Sequence, residues 1–225
     1  MRGGAENYMW QFAIVSALIL MLLSPFARAI KEHFTFDEAF YQQLTARYGK
    51  RAERPVKAWQ ELIEDYQQRN IDDQLHGVNL FANRRVRHVT DIRHWGQHDY
   101  WATPIESLAT GAGDCEDYAI LKYTTLRALG VEEAQLRLMY VRATSVNEPH
   151  MVLIYFSGPN AMPLVLDNLT DRILPADKRT DLRPVYSFNG QGLWLSRAQG
   201  AGKKVKNSAG VSNWTQLLER IEQGE

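Results

Sequence analysis

Residues 111 to 118 read Gly-Ala-Gly-Asp-Cys-Glu-Asp-Tyr. The glycines make a turn, and from Asp114 onward Tyr118, Leu121, Thr125, Leu126 and Leu129 recur at helical spacing until Gly130 supplies a stop. A helix therefore starts at this motif and carries Cys115, the only cysteine in 225 residues, in its first turn. A thiol attacks well only as thiolate, and the unpaired N–H groups and positive dipole end of a helix N-terminus lower a cysteine pKa. The placement marks Cys115 as a candidate nucleophile. A small buried hydrophobe is the alternative that the residue type leaves open.

Downstream the period changes from helix to strand. Leu136 to Val141, Met151 to Phe156 and Leu164 to Leu166 are strand-like, and Ser157-Gly158-Pro159-Asn160 breaks the run. The fold class is α+β, with the nucleophile helix packed on an antiparallel sheet. His150 stands just before the second strand, and Asp167 closes the strand from Pro163 to Leu166. A turn centred between Gly158 and Pro159 sets these two residues directly opposite each other. Opposed residues in an antiparallel pair have Cβ atoms about 4.5 to 5.5 Å apart. The carboxylate can then hold one imidazole nitrogen while the other accepts the thiol proton. A slip of one residue would point one of the two side chains to the wrong face.

Upstream the chain reads as packing helices. Phe34, Phe36, Phe40, Leu44 and Tyr48 precede a stop at Gly49, and Pro55 lies in the first turn before Val56, Trp59, Leu62, Ile63 and Tyr66. A third helix is expected from Asp72 towards Asn83. Residues 84 to 110 are mixed and aromatic, with Trp95, Tyr100 and Trp101 before Pro104, a composition that suits core or cleft. His88, His94 and His98 invite a zinc reading, but Gly96 breaks the helix such a site needs, and His-Trp-Gly-Gln-His lacks the zinc-peptidase glutamate.

The N-terminus carries Arg2, an apolar run from Phe12 to Leu23, and Ala27-Arg28-Ala29. This is the pattern of a secretory signal peptide spanning 1–29 and removed after Ala29, with 30–225 as one domain exported to the periplasm. A retained membrane anchor is the other reading, disfavoured because a span needs about 20 apolar residues. With 26 basic and 26 acidic residues the net charge is zero, which argues against a nucleic-acid binder and leaves protein or small molecule as partner. Lys203, Lys204 and Lys206 read as a solvated loop.

The Gly111–Tyr118 motif, the downstream histidine and aspartate, and Asp-Tyr-Trp-Ala-Thr-Pro at 99–104 together resemble the bacterial transglutaminase-like cysteine proteinases, over roughly residues 34 to 195. The resemblance implies a papain-like, transglutaminase-like core and a Cys-His-Asp triad on Cys115, His150 and Asp167. It also implies an endopeptidase that cuts the N-terminal region of a very large surface adhesin at a paired-alanine site, so that the cell leaves a biofilm. Activity in the family depends on calcium. The resemblance further implies an inner-membrane receptor that sequesters the protease when cyclic di-GMP is high, and the protease itself is not expected to bind cyclic di-GMP.

Calcium has a physical reading beside the resemblance. Asp114, Glu116 and Asp117 crowd the cysteine with three carboxylates, which by themselves oppose thiolate formation. Hard oxygen ligands suit calcium, and a bound divalent cation would remove the conflict. Acids that merely complement the helix dipole are the alternative. The resemblance carries Asp114 and Glu116 over as ligands, and Asp117 is added by position. Gln97, Tyr100 or Trp101 could join the Cys115 backbone N–H as an oxyanion donor. A transglutaminase or amidase on the same triad, and a binding module with a dead site, are the competing functions.

Overall fold

The structure is a computed structural model that describes residues 36–195, 202–206 and 211–223. The expected signal peptide lies outside the described residues. Among the described residues no helix is long and apolar enough to cross a membrane.

Three helices open the described chain. In α1 (Glu38–Tyr48) Asp37 caps the start by accepting from the Phe40 N–H at 2.8 Å, and Gly49, at φ +82°, ends it with an N–H to the Thr45 carbonyl. One stripe of α2 (Glu53–Tyr66) buries Val56, Trp59 and Ile63. Trp59 is 1% exposed, and its indole N–H donates to Thr125 Oγ1 at 2.8 Å, pinning α2 to the helix that begins at Cys115. Truncating a tryptophan so placed costs about 3–5 kcal/mol. The third helix, α3 (Ile71–Arg85), starts one residue before the expected position, because Asn70 caps it through the Asp73 N–H.

Between Arg85 and the helix that begins at Cys115 lie β1 (Arg87–His88), the short α4 (Asp91–His94), α5 (Pro104–Thr110) and β2 (Ala112–Gly113). α5 lies in a stretch that hydrophobic periodicity leaves unassigned. Its signature was nonetheless present: Thr103 and Glu106 form a reciprocal capping box, at 3.2 and 2.9 Å, with Pro104 at the first helical position. Gly111, at φ +64°, closes α5, and the chain passes through β2 into α6 (Cys115–Ala128).

α6 lies against a seven-stranded antiparallel sheet in the order β6 (Leu174–Pro175), β5 (Leu164–Leu166), β4 (Glu148–Tyr155), β3 (Leu136–Ala143), β7 (Leu182–Asn189), β8 (Gly192–Leu195), β9 (Lys203–Lys206). The expected strands are β3 (Leu136–Ala143), β4 (Glu148–Tyr155) and β5 (Leu164–Leu166), and β6 (Leu174–Pro175) extends that edge. Besides β6, three further strands of this sheet and a helix were not foreseen: β7 (Leu182–Asn189), β8 (Gly192–Leu195), β9 (Lys203–Lys206) and α7 (Ser212–Glu222). β7 hid because Pro184 sits where the β3–β7 register shifts, and a proline inside a run demotes it as a strand. The lysine cluster is therefore not a loop but the edge strand β9, where charge discourages pairing with another chain. Trp214 on α7, 1% exposed, packs against Tyr123 of α6 and Phe188 of β7 with ring centroids 5.2 and 5.8 Å apart.

The register of the β4–β5 hairpin differs from expectation by two residues. Leu153 faces Leu166 and Ile154 faces Val165, so the extended alignment sets Asp167 across from Val152 rather than from His150. The longer connection at 156–163 absorbs the difference. A shift of two preserves the face, so the pair becomes diagonal neighbours instead of parting.

Candidate active site

Cys115 is the first residue of α6, with Asp114 as its N-cap in extended conformation. Gly113 is required here for space, since a Cβ would come within 2.6 Å of Asp117 Oδ2 and 2.8 Å of Asp117 Cβ. Asp117, fully buried, accepts the Asp114 N–H at 3.1 Å and the Ala102 N–H at 2.8 Å. It thus ties the N-terminus of α6 to the segment entering α5.

His150 and Asp167 meet despite the altered register. The imidazole Nε2–H donates to Asp167 Oδ1 at 2.7 Å, and both residues are buried. This bond leaves Nδ1 as the nitrogen free to accept a proton. The next residue, Met151, presents its backbone N–H to the Cys115 sulfur, so β4 brings its histidine end to the start of α6.

Asp167 has partners the sequence analysis missed. Oδ1 also accepts the Leu169 N–H at 3.0 Å, and Oδ2 receives Arg179 Nη2 at 2.6 Å. Arg179 is itself buried and forks onto Asp181 at 2.9 and 2.8 Å. The Asp167 carbonyl accepts from Asn83 of α3 at 3.0 Å. Burial alone would raise the Asp167 pKa, but the bonds from His150, Leu169 and Arg179 outweigh it and hold the carboxyl down at about 2. No periodicity signals Arg179, because it follows a single 3₁₀ turn (Ala176–Lys178) outside any long element.

Around the sulfur the field has the opposite sign. Burial, then Glu116 by charge and hydrogen bond, then Asp114, push the Cys115 thiol well up, against a smaller opposing effect of the Met151 N–H. The thiol donates to Glu116 Oε2 at 2.8 Å, a bond only the protonated form can make. The crowding extends beyond the three predicted acids. Asp91 and Asp99 join Glu116 in one group whose oxygens lie within 4.8 Å of one another, and Asp91, Asp114 and Asp117 form another. Burial, followed by neighbouring carboxylates, pushes Asp114 up to about 9. Burial raises Asp91 to about 6, partly offset by the Tyr100 N–H on Oδ2.

These residues fit a cation. Asp91 Oδ1 and Asp114 Oδ1 are buried oxygens with no hydrogen-bond partner, the condition a hard metal ion relieves. Of the predicted ligands, Asp114 and Glu116 have oxygens to offer. Both oxygens of Asp117 already accept backbone N–H groups, which makes it the poorest of the three. Asp91 was missed because it lies 23 residues before Asp114 in sequence and reaches the cluster only through β1 pairing with β2. Of the oxyanion candidates, the Tyr100 hydroxyl is engaged by Glu106 and Arg220 and the Trp101 indole by Asp99, while Gln97 is exposed on the rim beside α7.

Residues 46–191 match the profile described as bacterial transglutaminase-like cysteine proteinase. No match emerged among curated proteins. Among solved structures, calcium-bound Legionella pneumophila LapG is 39% identical with a TM-score of 0.69, covering 80% of this chain and 97% of that one. EGTA-treated Legionella pneumophila LapG is 39% identical with a TM-score of 0.70, covering 80% and 95%.

Proposed function

This chain belongs to the bacterial transglutaminase-like cysteine proteinases and is a cysteine protease; from that premise we propose that Cys115, His150 and Asp167 are its triad. The observation that carries the reading is the 2.7 Å bond from His150 Nε2–H to Asp167, made by the residue next to the one whose N–H meets the sulfur. Asp167 fixes the imidazole tautomer, and Nδ1 takes the Cys115 proton as sulfur attacks the scissile carbonyl carbon. The tetrahedral oxyanion is met by the Cys115 backbone N–H at the start of α6. Collapse expels the amine, which receives the proton from the imidazolium and leaves an acyl-enzyme. Water, deprotonated by the same nitrogen, then releases the acid and restores the thiol.

The substrate in this reading is the N-terminal region of a large surface adhesin, cut at a paired-alanine site in the periplasm after removal of residues 1–29. Release of the adhesin disperses a biofilm, and an inner-membrane cyclic di-GMP receptor restrains the enzyme. Calcium is held by Asp114 and Glu116 with Asp91. The unpartnered oxygens of Asp91 and Asp114, and the calcium-bound and EGTA-treated structures of LapG, support that assignment. When bound, the ion supplies positive charge that offsets the carboxylates beside the sulfur.

Purified protein incubated with adhesin N-terminal fragments should give a discrete cut, mapped by mass spectrometry, that is absent with Cys115→Ala. Uncut fragments, or formation of an isopeptide bond with added amine in place of hydrolysis, would overturn the adhesin-protease reading.

A further inference from the structure

Residues 84 to 93 read Arg-Arg-Val-Arg-His-Val-Thr-Asp-Ile-Arg. Arg84, Arg85, Arg87, His88 and Arg93 are all exposed, and among the described residues none of the four arginines forms an ion pair with a carboxylate. The one acid in the stretch, Asp91, is turned inward and buried. The chain as a whole is neutral, so four arginines and a histidine within ten residues are a local concentration of positive charge.

Its position is what gives it consequence. β1 pairs in parallel with β2, matching Arg87 to Ala112 and His88 to Gly113, and the Val89 N–H bonds the Gly113 carbonyl at 2.9 Å. The strip therefore runs beside the turn that presents Cys115, two residues beyond Gly113. One groove lined by Arg87, His88, Val89, Thr90 and Arg93 and another lined by Tyr66, Phe81, Arg84 and Arg85 give the strip relief, and Ile92 beside it is 50% exposed.

We propose that this arginine strip is an exosite that holds an acidic segment of the polypeptide substrate while Cys115 acts on the adjoining bond. The inference rests on the reading of Cys115 as the nucleophile of a protease. An extended chain leaving the cysteine along β1 meets exposed guanidiniums that have no carboxylate partner, which suits carboxylate side chains at intervals and repels lysine-rich sequence. Charges at such a rim act mainly on encounter and on salt dependence.

The test separates binding from cleavage. A fluorescent peptide with a glutamate-rich tail is titrated into Cys115→Ala protein by anisotropy, beside the same peptide with glutamine in place of glutamate. The glutamate peptide should bind about tenfold more tightly at low salt. Physiological salt should erode the difference, and Arg84→Ala/Arg87→Ala/Arg93→Ala in the same background should abolish it without lowering the melting temperature. Equal binding of the two peptides, or an unchanged preference in the triple variant, would overturn the exosite whether or not the protease cleaves adhesin. The exosite is also overturned if the triple variant loses binding to phosphatidylglycerol vesicles yet keeps its preference for the glutamate peptide, an outcome that makes the strip a membrane contact. Failure of cleavage by wild-type enzyme would count against the proposed function alone.

Discussion

Asp167 is restrained from three directions, by His150, the Leu169 N–H and Arg179, and its rotamer is thereby fixed before substrate arrives. Removing one partner of a buried ion pair leaves the other charge uncompensated, so Arg179→Met should destabilise the fold by about 3 kcal/mol in chemical denaturation. It should also lower kcat more than it raises KM. Because the Asp167 carboxyl is held at about 2, the unfolded chain takes up its proton first as pH falls. Its stabilisation is complete above about pH 4 and is lost as pH falls through 2, and Arg179→Met should move that loss to higher pH. The triad members should rank by role. Cys115→Ala should leave no measurable cleavage, and His150→Ala should lower kcat/KM by about 10²–10⁴-fold, the contribution of general acid–base catalysis. Asp167→Asn should retain a trace, since an amide can still hydrogen-bond the imidazole. Full activity in Cys115→Ala, in a coupled assay of fragment cleavage, would remove the triad assignment.

The elements that strong periodicity or a terminal signal announces were legible. Gly49 and Gly130 marked helix ends, the apolar spacing of α2 marked its buried stripe, and β3, β4 and β5 stood out as apolar runs. The elements lost were those whose pattern is short or interrupted. α5 is only seven residues long, β7 contains Pro184, and β9 is built of lysine around one valine. Gly113 belongs with the legible turn but for a reason the sequence does not carry: the space beside it is filled by the Asp117 carboxylate. Gly113→Ala should therefore cost about 1–3 kcal/mol by overpacking. It should also reduce activity beyond that cost, because relief of the clash moves the side chain that ties Asp114 to Ala102. Denaturant titration and the rate of fragment cleavage by the still-folded fraction check the two parts separately, and an unperturbed rate would show that the Asp117 bridge does not position Cys115.

At the scale of the whole molecule, the sequence brought together the His150–Asp167 pair of the candidate site and not its surroundings. His150 and Asp167 could be paired because an even error in register keeps two side chains on one face, whereas Arg179 and Asp91 arrive from a 3₁₀ turn and a β1–β2 contact that no local pattern encodes. That assembly concentrates Asp91, Asp99, Asp114, Glu116 and Asp117 in one place, and the global stability should register it. Without a cation, Asp91 is held up to about 6 and Asp114 to about 9, burial being the first cause of each. A carboxyl raised in the folded state keeps its proton after the unfolded chain has lost it, so the folded state binds more protons between pH 4 and 9 and stability falls as pH rises. In chelator, the melting temperature should drop across that range. Calcium at about 100 times its dissociation constant stabilises by about 2.7 kcal/mol, which is roughly 5–10 °C for a domain of this size. It should also flatten the pH dependence, since a cation favours the ionised acids over their protonated forms. Magnesium should do so poorly, because it demands near-octahedral geometry and gives up water reluctantly. Asp91→Asn should weaken the calcium response and at the same time reduce the alkaline loss in chelator, because one of the crowded acids is gone. A melting temperature indifferent to both calcium and pH would leave these carboxylates as caps and hydrogen-bond acceptors, and remove the ion from the site.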